Sequence, residues 1–95
     1  MDERIMTLHP EGKQGVNISR KKYDIVRQSI LNHLSAHGEM TFTELTENVR
    51  RKLEGSFEGS ITWYVTTVKL DLEARKEIER IPKSSPQRLR LAPRS

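Results

Sequence analysis

The segment ITWYVTTVKLDLEARKEIERIPKSSPQRLRL, Ile61–Leu91, decides the fold. In its first half the apolar residues Ile61, Val65, Val68 and Leu72 recur at i, i+4, i+7 and i+11, the stripe of a helix of about four turns with one buried face. After Arg75 the period changes. Ile78–Ile81 and Arg88–Leu91 are short and strand-like, and the second alternates as Arg-Leu-Arg-Leu, which predicts Leu89 and Leu91 toward the core and Arg88 and Arg90 toward solvent. Pro82 and Pro86 bracket the connection Lys83-Ser84-Ser85-Pro86, where a missing N–H does little harm at a sheet edge. A helix therefore runs directly into a hairpin with a basic second strand.

Two further helices precede this segment. Tyr23, Val26, Ile30 and Leu34 share one face of a helix predicted from Arg20 to His37, with Ser19 as N-cap, Asn17 competing for that role, and Gly38 in the left-handed position that ends it. Glu39-Met40-Thr41 makes a short link. Thr41-Phe42-Thr43-Glu44 then reads as a capping box, in which the Thr41 hydroxyl accepts from the Glu44 N–H and the Glu44 carboxylate accepts from the Thr41 N–H. Leu45, Val49 and Leu53 give that second helix its stripe over Phe42–Leu53. Glu54-Gly55-Ser56-Phe57-Glu58-Gly59 ends it, since each glycine disfavours helix by about 1 kcal/mol. The third helix is expected to start at Gly59 or Ser60, with Phe57 anchoring the turn. Residues 1–18 carry Pro10, Gly12 and Gly15 without sustained periodicity and read as an arm that Leu8, Val16 and Ile18 could pin to the domain.

The chain thus reads helix, short strand, helix, helix, hairpin: an α+β, mainly α fold. From Leu70 to Arg80 it resembles the segment by which many bacterial winged-helix regulators leave their reading helix and enter the wing. That run commonly ends Leu-Glu-x-x-Gly-Leu-Ile-Glu-Arg. Leu72-Glu73, Ile78, Glu79 and Arg80 match, whereas Lys76 and Glu77 stand where Gly and Leu are usual, which leaves the sharpness of the corner open. Around Glu58-Gly59-Ser60 and Trp63–Thr67 the chain is also similar to short stand-alone bacterial proteins of uncharacterised function. The resemblance spans roughly Lys21 to Ala92. It implies a winged helix-turn-helix of three helices plus a small antiparallel sheet ending in a wing hairpin, with residues 1–18 as an arm, 19–92 as the domain and 93–95 as a tail.

If that family's use of the third helix carries over, Ser60, Thr62, Trp63, Thr66 and Thr67 enter the major groove of double-stranded DNA. Threonine suits such a place, because its hydroxyl bonds phosphate or a base edge while its methyl packs on thymine. The face carries no Arg, Asn or Gln, the bidentate readers, so weak or shape-based discrimination is expected. Phosphate contacts are assigned to Lys83, Arg88 and Arg90 on the wing and to Arg20, Lys21 and Lys22 at the head of the first helix. There three cations oppose the macrodipole and so serve something other than helix stability. Arg50-Arg51-Lys52, at a helix C-terminus, favours its dipole and reads as structural. Trp63 is expected on the outer face, available to a base, to the arm or to a second copy of the chain. The alternative reading is a protein-interaction or dimerisation module that binds no DNA, and Asp71, Glu73, Glu77 and Glu79 favour it.

Composition bounds these readings. Ninety-five residues make one small domain, 34% hydrophobic and 32% charged, with net charge +4. The charge is uneven. From Gly59 onward there are eight Lys/Arg against four Asp/Glu, and every charge after Ile81 is positive: Lys83, Arg88, Arg90 and Arg94. That is the footprint of a surface facing phosphates, or else a solubilising tail. No apolar run approaches the roughly 20 residues of a membrane span, and Met1-Asp2-Glu3-Arg4 does not open a secretory signal. The absence of cysteine excludes disulfides and thiolate metal sites and fits a reducing, cytoplasmic setting. His33 and His37 stand i, i+4 like a pair of metal ligands but lack an evident third, and no nucleotide-binding or hydrolase motif is present. No enzyme activity, metal or cofactor is expected.

Overall fold

A computed structural model describes residues 3–93. Its order is β1 (Arg4–Met6), β2 (Asn17–Ser19), α1 (Arg20–His37), β3 (Glu39–Thr41), α2 (Phe42–Leu53), α3 (Ile61–Ala74), β4 (Ile78–Arg80) and β5 (Arg88–Leu91). Three helices and two small antiparallel sheets make an α+β fold that is mainly α.

The helix ends follow local chemistry. Ser19 Oγ accepts from the Lys22 N–H at 3.3 Å to start α1, and Gly38, at φ 82°, ends it with its N–H on the Leu34 carbonyl. Both capping-box bonds of α2 are formed, Thr41 N–H to Glu44 Oε1 at 2.9 Å and Glu44 N–H to Thr41 Oγ1 at 3.0 Å. α3 begins at Ile61, just past the expected start at Gly59 or Ser60, with Ser60 as N-cap. Its far end turns without the glycine that the winged-helix pattern would place there. Lys76 adopts φ 66°, and the Lys76 and Glu77 N–H groups reach back to the Glu73 and Leu72 carbonyls in a Schellman closure. The corner is sharp, and a lysine bears its strain.

One core joins these elements. Val26, Ile30 and Leu34 of α1, Leu45 and Val49 of α2, Val65, Val68 and Leu72 of α3, and Leu89 of β5 are fully buried, with Ile78 at 1% exposure. Ile61 is only partly buried at the edge of this cluster. The hairpin β4–β5 is joined by β3, in the order β3-β5-β4, and Met40 opposite Leu89 ties the sheet to the core. Leu91 corrects the alternation reading: it is exposed, because β3 starts only opposite Arg90 and leaves Leu91 uncovered on that side, although Ile78 of β4 pairs with it on the other.

The arm is more structured than its composition suggested. β1 pairs with β2, Ile5 opposite Ile18, and Ile18 enters the core, while Leu8 and Val16 stay exposed. The intervening loop is closed at its neck by Thr7 N–H to the Val16 carbonyl (2.8 Å) and Val16 N–H to Thr7 Oγ1 (2.9 Å).

Candidate nucleic-acid interface

Asp71 organises the outer side of α3. It falls three residues after Val68 and one before Leu72, inside the buried stripe, and is fully buried. A buried carboxylate needs donors on both oxygens. Oδ1 accepts from the Leu8 N–H at 2.8 Å, and Oδ2 accepts from the Tyr23 hydroxyl and from Arg75 Nε at 2.9 Å. One side chain thereby fastens arm, α1 and α3 together. Burial, then the bond to Asp71, pushes the Tyr23 phenol up to about 12.

The arm covers one flank of α3. Leu8, Gln14 and Val16 line a cleft of about 140 Å³ against Trp63, Thr67 and Leu70. Thr67 is therefore half-covered, and the open strip of the helix is Thr62, Trp63 and Thr66. The opposite flank is closed too. Lys69 is 4% exposed, with Nζ 3.3 Å from Glu73 Oε2 and 5.0 Å from the centre of the Phe42 ring. Burial lowers its pKa and the Glu73 charge opposes that shift.

Within the strip, hydroxyls are partly engaged. Ser60 Oγ accepts from the Trp63 N–H at 3.2 Å, and Thr66 Oγ1 donates to the Thr62 carbonyl at 3.1 Å. Trp63 is 46% exposed and meets Tyr64 edge to face at 4.9 Å between ring centres; Tyr64 meets Phe57 likewise at 5.1 Å. Lys22 completes this group, its Nζ 5.8 Å from the Phe57 ring centre and 5.5 Å from that of Tyr64. The ammonium also lies 3.9 Å from where a Gly59 Cβ would stand. The basic head of α1 is thus brought to the N-terminal end of α3, where unpaired helix N–H groups already favour anions.

Strand pairing and helix spacing consume much of the remaining basic set. Arg88 pairs with Glu39 at 3.5 Å, Arg90 with Glu79 at 2.6 Å, and Arg20 with Asp24 at 3.1 Å and Glu3 at 3.4 Å. The hydrogen bond to Asp24, then its charge, raises the Arg20 pKa. Among the described residues Lys21, Lys22 and Lys83 have no carboxylate within ion-pair reach, and Lys83 sits on the β4–β5 connection with φ 61°. Arg94 lies outside the described residues. The four acids are also paired internally: Asp71 as above, Glu73 with Lys69 and Arg80, Glu77 with Arg27, and Glu79 with Arg90. They present no free acidic face and no longer favour a protein partner. The His33 and His37 rings stack at 6.5 Å, His33 Nδ1 lies 2.7 Å from the Ser29 carbonyl, and no metal-holding group of three occurs among the described residues.

Sequence reasoning missed the burial of Asp71 and Lys69 and the strand pairing of the arm, while it anticipated that Ile18 would pin the arm and that Trp63 could meet it. Asp71 carried a signal, an acid on the inner stripe of α3; the bond from the Leu8 N–H to it had none. A family model spans residues 4–89, that of a family of unknown function (DUF6958). No curated protein and no solved structure matches the chain.

Proposed function

We propose that the chain, which belongs to the DUF6958 family, is a winged helix-turn-helix module that binds duplex DNA as a small transcription regulator in the cytoplasm. The observation that carries this reading is the Lys22 ammonium at the N-terminal end of α3, beside the uncharged open strip Thr62, Trp63 and Thr66. A cation at that end suits a phosphate, and a strip of threonines and one tryptophan suits base edges and thymine methyls. The element order and the β3-β5-β4 sheet are compatible with a winged helix.

The test is titration of labelled mixed-sequence duplex at several salt concentrations. With Lys21, Lys22 and Lys83 as the phosphate contacts, log affinity falls with log salt by about 0.9 per contact, a slope of about 3. Opening the Arg88 and Arg90 pairs on binding would steepen it. Absence of binding at tens of micromolar (roughly the weak end of non-specific affinity) in low salt sinks the reading.

A second reading rests on a different observation: Leu8, Val16 and Trp63 are exposed together along the cleft. Such a patch suits a protein partner or a second copy of the chain. Concentration-dependent mass in sedimentation, abolished by Trp63→Ala, together with absent duplex binding, would select it.

A further inference from the structure

The helix proposed to face DNA lacks side chains that make bidentate contacts to bases, and the arm supplies one beside it. Gln14 is exposed, lies in the loop between Thr7 and Val16, and lines the same cleft as Trp63 and Thr67. We propose that this loop is part of the duplex-reading surface, with Gln14 as its base-contacting side chain; the inference rests on the DNA-binding reading above.

Three features make the loop a fixed element. Its neck is the pair of Thr7–Val16 bonds, and Gly15 packs so tightly there that a Cβ would stand 1.7 Å from the Thr7 carbonyl oxygen. One residue beyond the neck, the Leu8 N–H is held by the buried Asp71 carboxylate on α3 itself. At the tip the Gly12 N–H donates to the His9 carbonyl at 3.0 Å, with φ 76° at Gly12, and His9 Nδ1 accepts from the Glu11 N–H at 3.1 Å. A glutamine carried on such a loop pays for ordering its side chain but not its backbone on binding, and its carboxamide matches the N6 and N7 edge of adenine with two bonds. Lys13, whose partner Glu11 is an exposed residue at 3.3 Å, can turn to a phosphate at small cost.

The experiment is selection of bound sequences from a randomised duplex pool by the wild-type protein and by Gln14→Ala, with thermal melts to verify that both are equally folded. The wild type is expected to enrich adenine at one position, and Gln14→Ala to lose that preference, a change of about tenfold in relative affinity at that position. Because glutamine is uncharged, the salt slope stays the same, whereas Lys22→Ala lowers it by about one contact. Identical selected pools, or a wild type that binds duplex with no preference anywhere, overturn the role of the loop and leave the DNA-binding reading standing. A wild type that binds no duplex fails both. If Gln14→Ala instead weakens self-association and changes no base preference, the surface serves protein contact and the proposal falls.

Discussion

Replacing Asp71 by alanine tests how the arm is held. The carboxylate is fully buried and serves the Leu8 N–H, the Tyr23 hydroxyl and Arg75 Nε. Arg75 is 35% exposed along its side chain and recovers water when its partner is lost. Tyr23, 3% exposed, does not, and the part-buried N–H of the exposed Leu8 recovers it in part. One fully and one partly orphaned donor at about 1–3 kcal/mol each, at the low end of the roughly 3–5 kcal/mol of a broken buried pair, give an expected loss of about 3 kcal/mol. For a domain of this size that lowers Tm by roughly 12–24 °C. Urea melts with linear extrapolation measure it. Tyr23→Phe, which keeps the ring and removes one donor, is expected to cost about 1 kcal/mol, and Asp71→Ala is expected to cost about 1 kcal/mol less in that background than in the wild type. Trypsin is expected to cut the Asp71→Ala arm at Lys13 faster than the wild-type arm. A loss below about 1 kcal/mol, with unchanged proteolysis, would show that water satisfies these groups and that Asp71 does not fasten the arm.

The raised Tyr23 pKa makes the neutral phenol the stabilising form, so its contribution is complete below about pH 10 and is lost as pH rises through about 12. In a Tyr64→Phe variant, where Tyr23 is the remaining tyrosine, ultraviolet titration is expected to place the phenol near about 12 in the folded protein; ionisation near 10 would refute it. Trp63→Ala, at a half-exposed position, is expected to cost about 1 kcal/mol in a denaturant melt, against the roughly 3–5 kcal/mol of a fully buried tryptophan. Lys76→Gly is expected to add about 0.5–1 kcal/mol by relieving the left-handed backbone at φ 66°, after glycine's own entropy cost. A melt showing no gain would mean that the lysine bears no strain there.

What could be read from the sequence follows the distance over which each feature is determined. Ser19, the Thr41–Glu44 box and Ser60 cap helices through bonds to residues three positions away, so their chemistry lies within one turn of sequence. The Arg20–Asp24 pair was likewise open to an i, i+4 reading, which would have reduced the expected phosphate cluster by one cation. Arg88–Glu39 and Arg90–Glu79 depend on which strands become neighbours, so a linear count of basic residues overstates the free charge of the β4–β5 hairpin. The arm is the far case. Its two strands have three residues each, too short to show a period, and its attachment to α3 joins Leu8 to a residue 63 positions later. Leu91 shows a different limit. Alternation assigns the two sides of a strand correctly, but how many inward positions are buried is set by the neighbouring strand's length. Here β3 has three residues and starts opposite Arg90, so the second inward leucine of β5, paired with Ile78 of β4 on one side alone, extends past the core it was expected to enter.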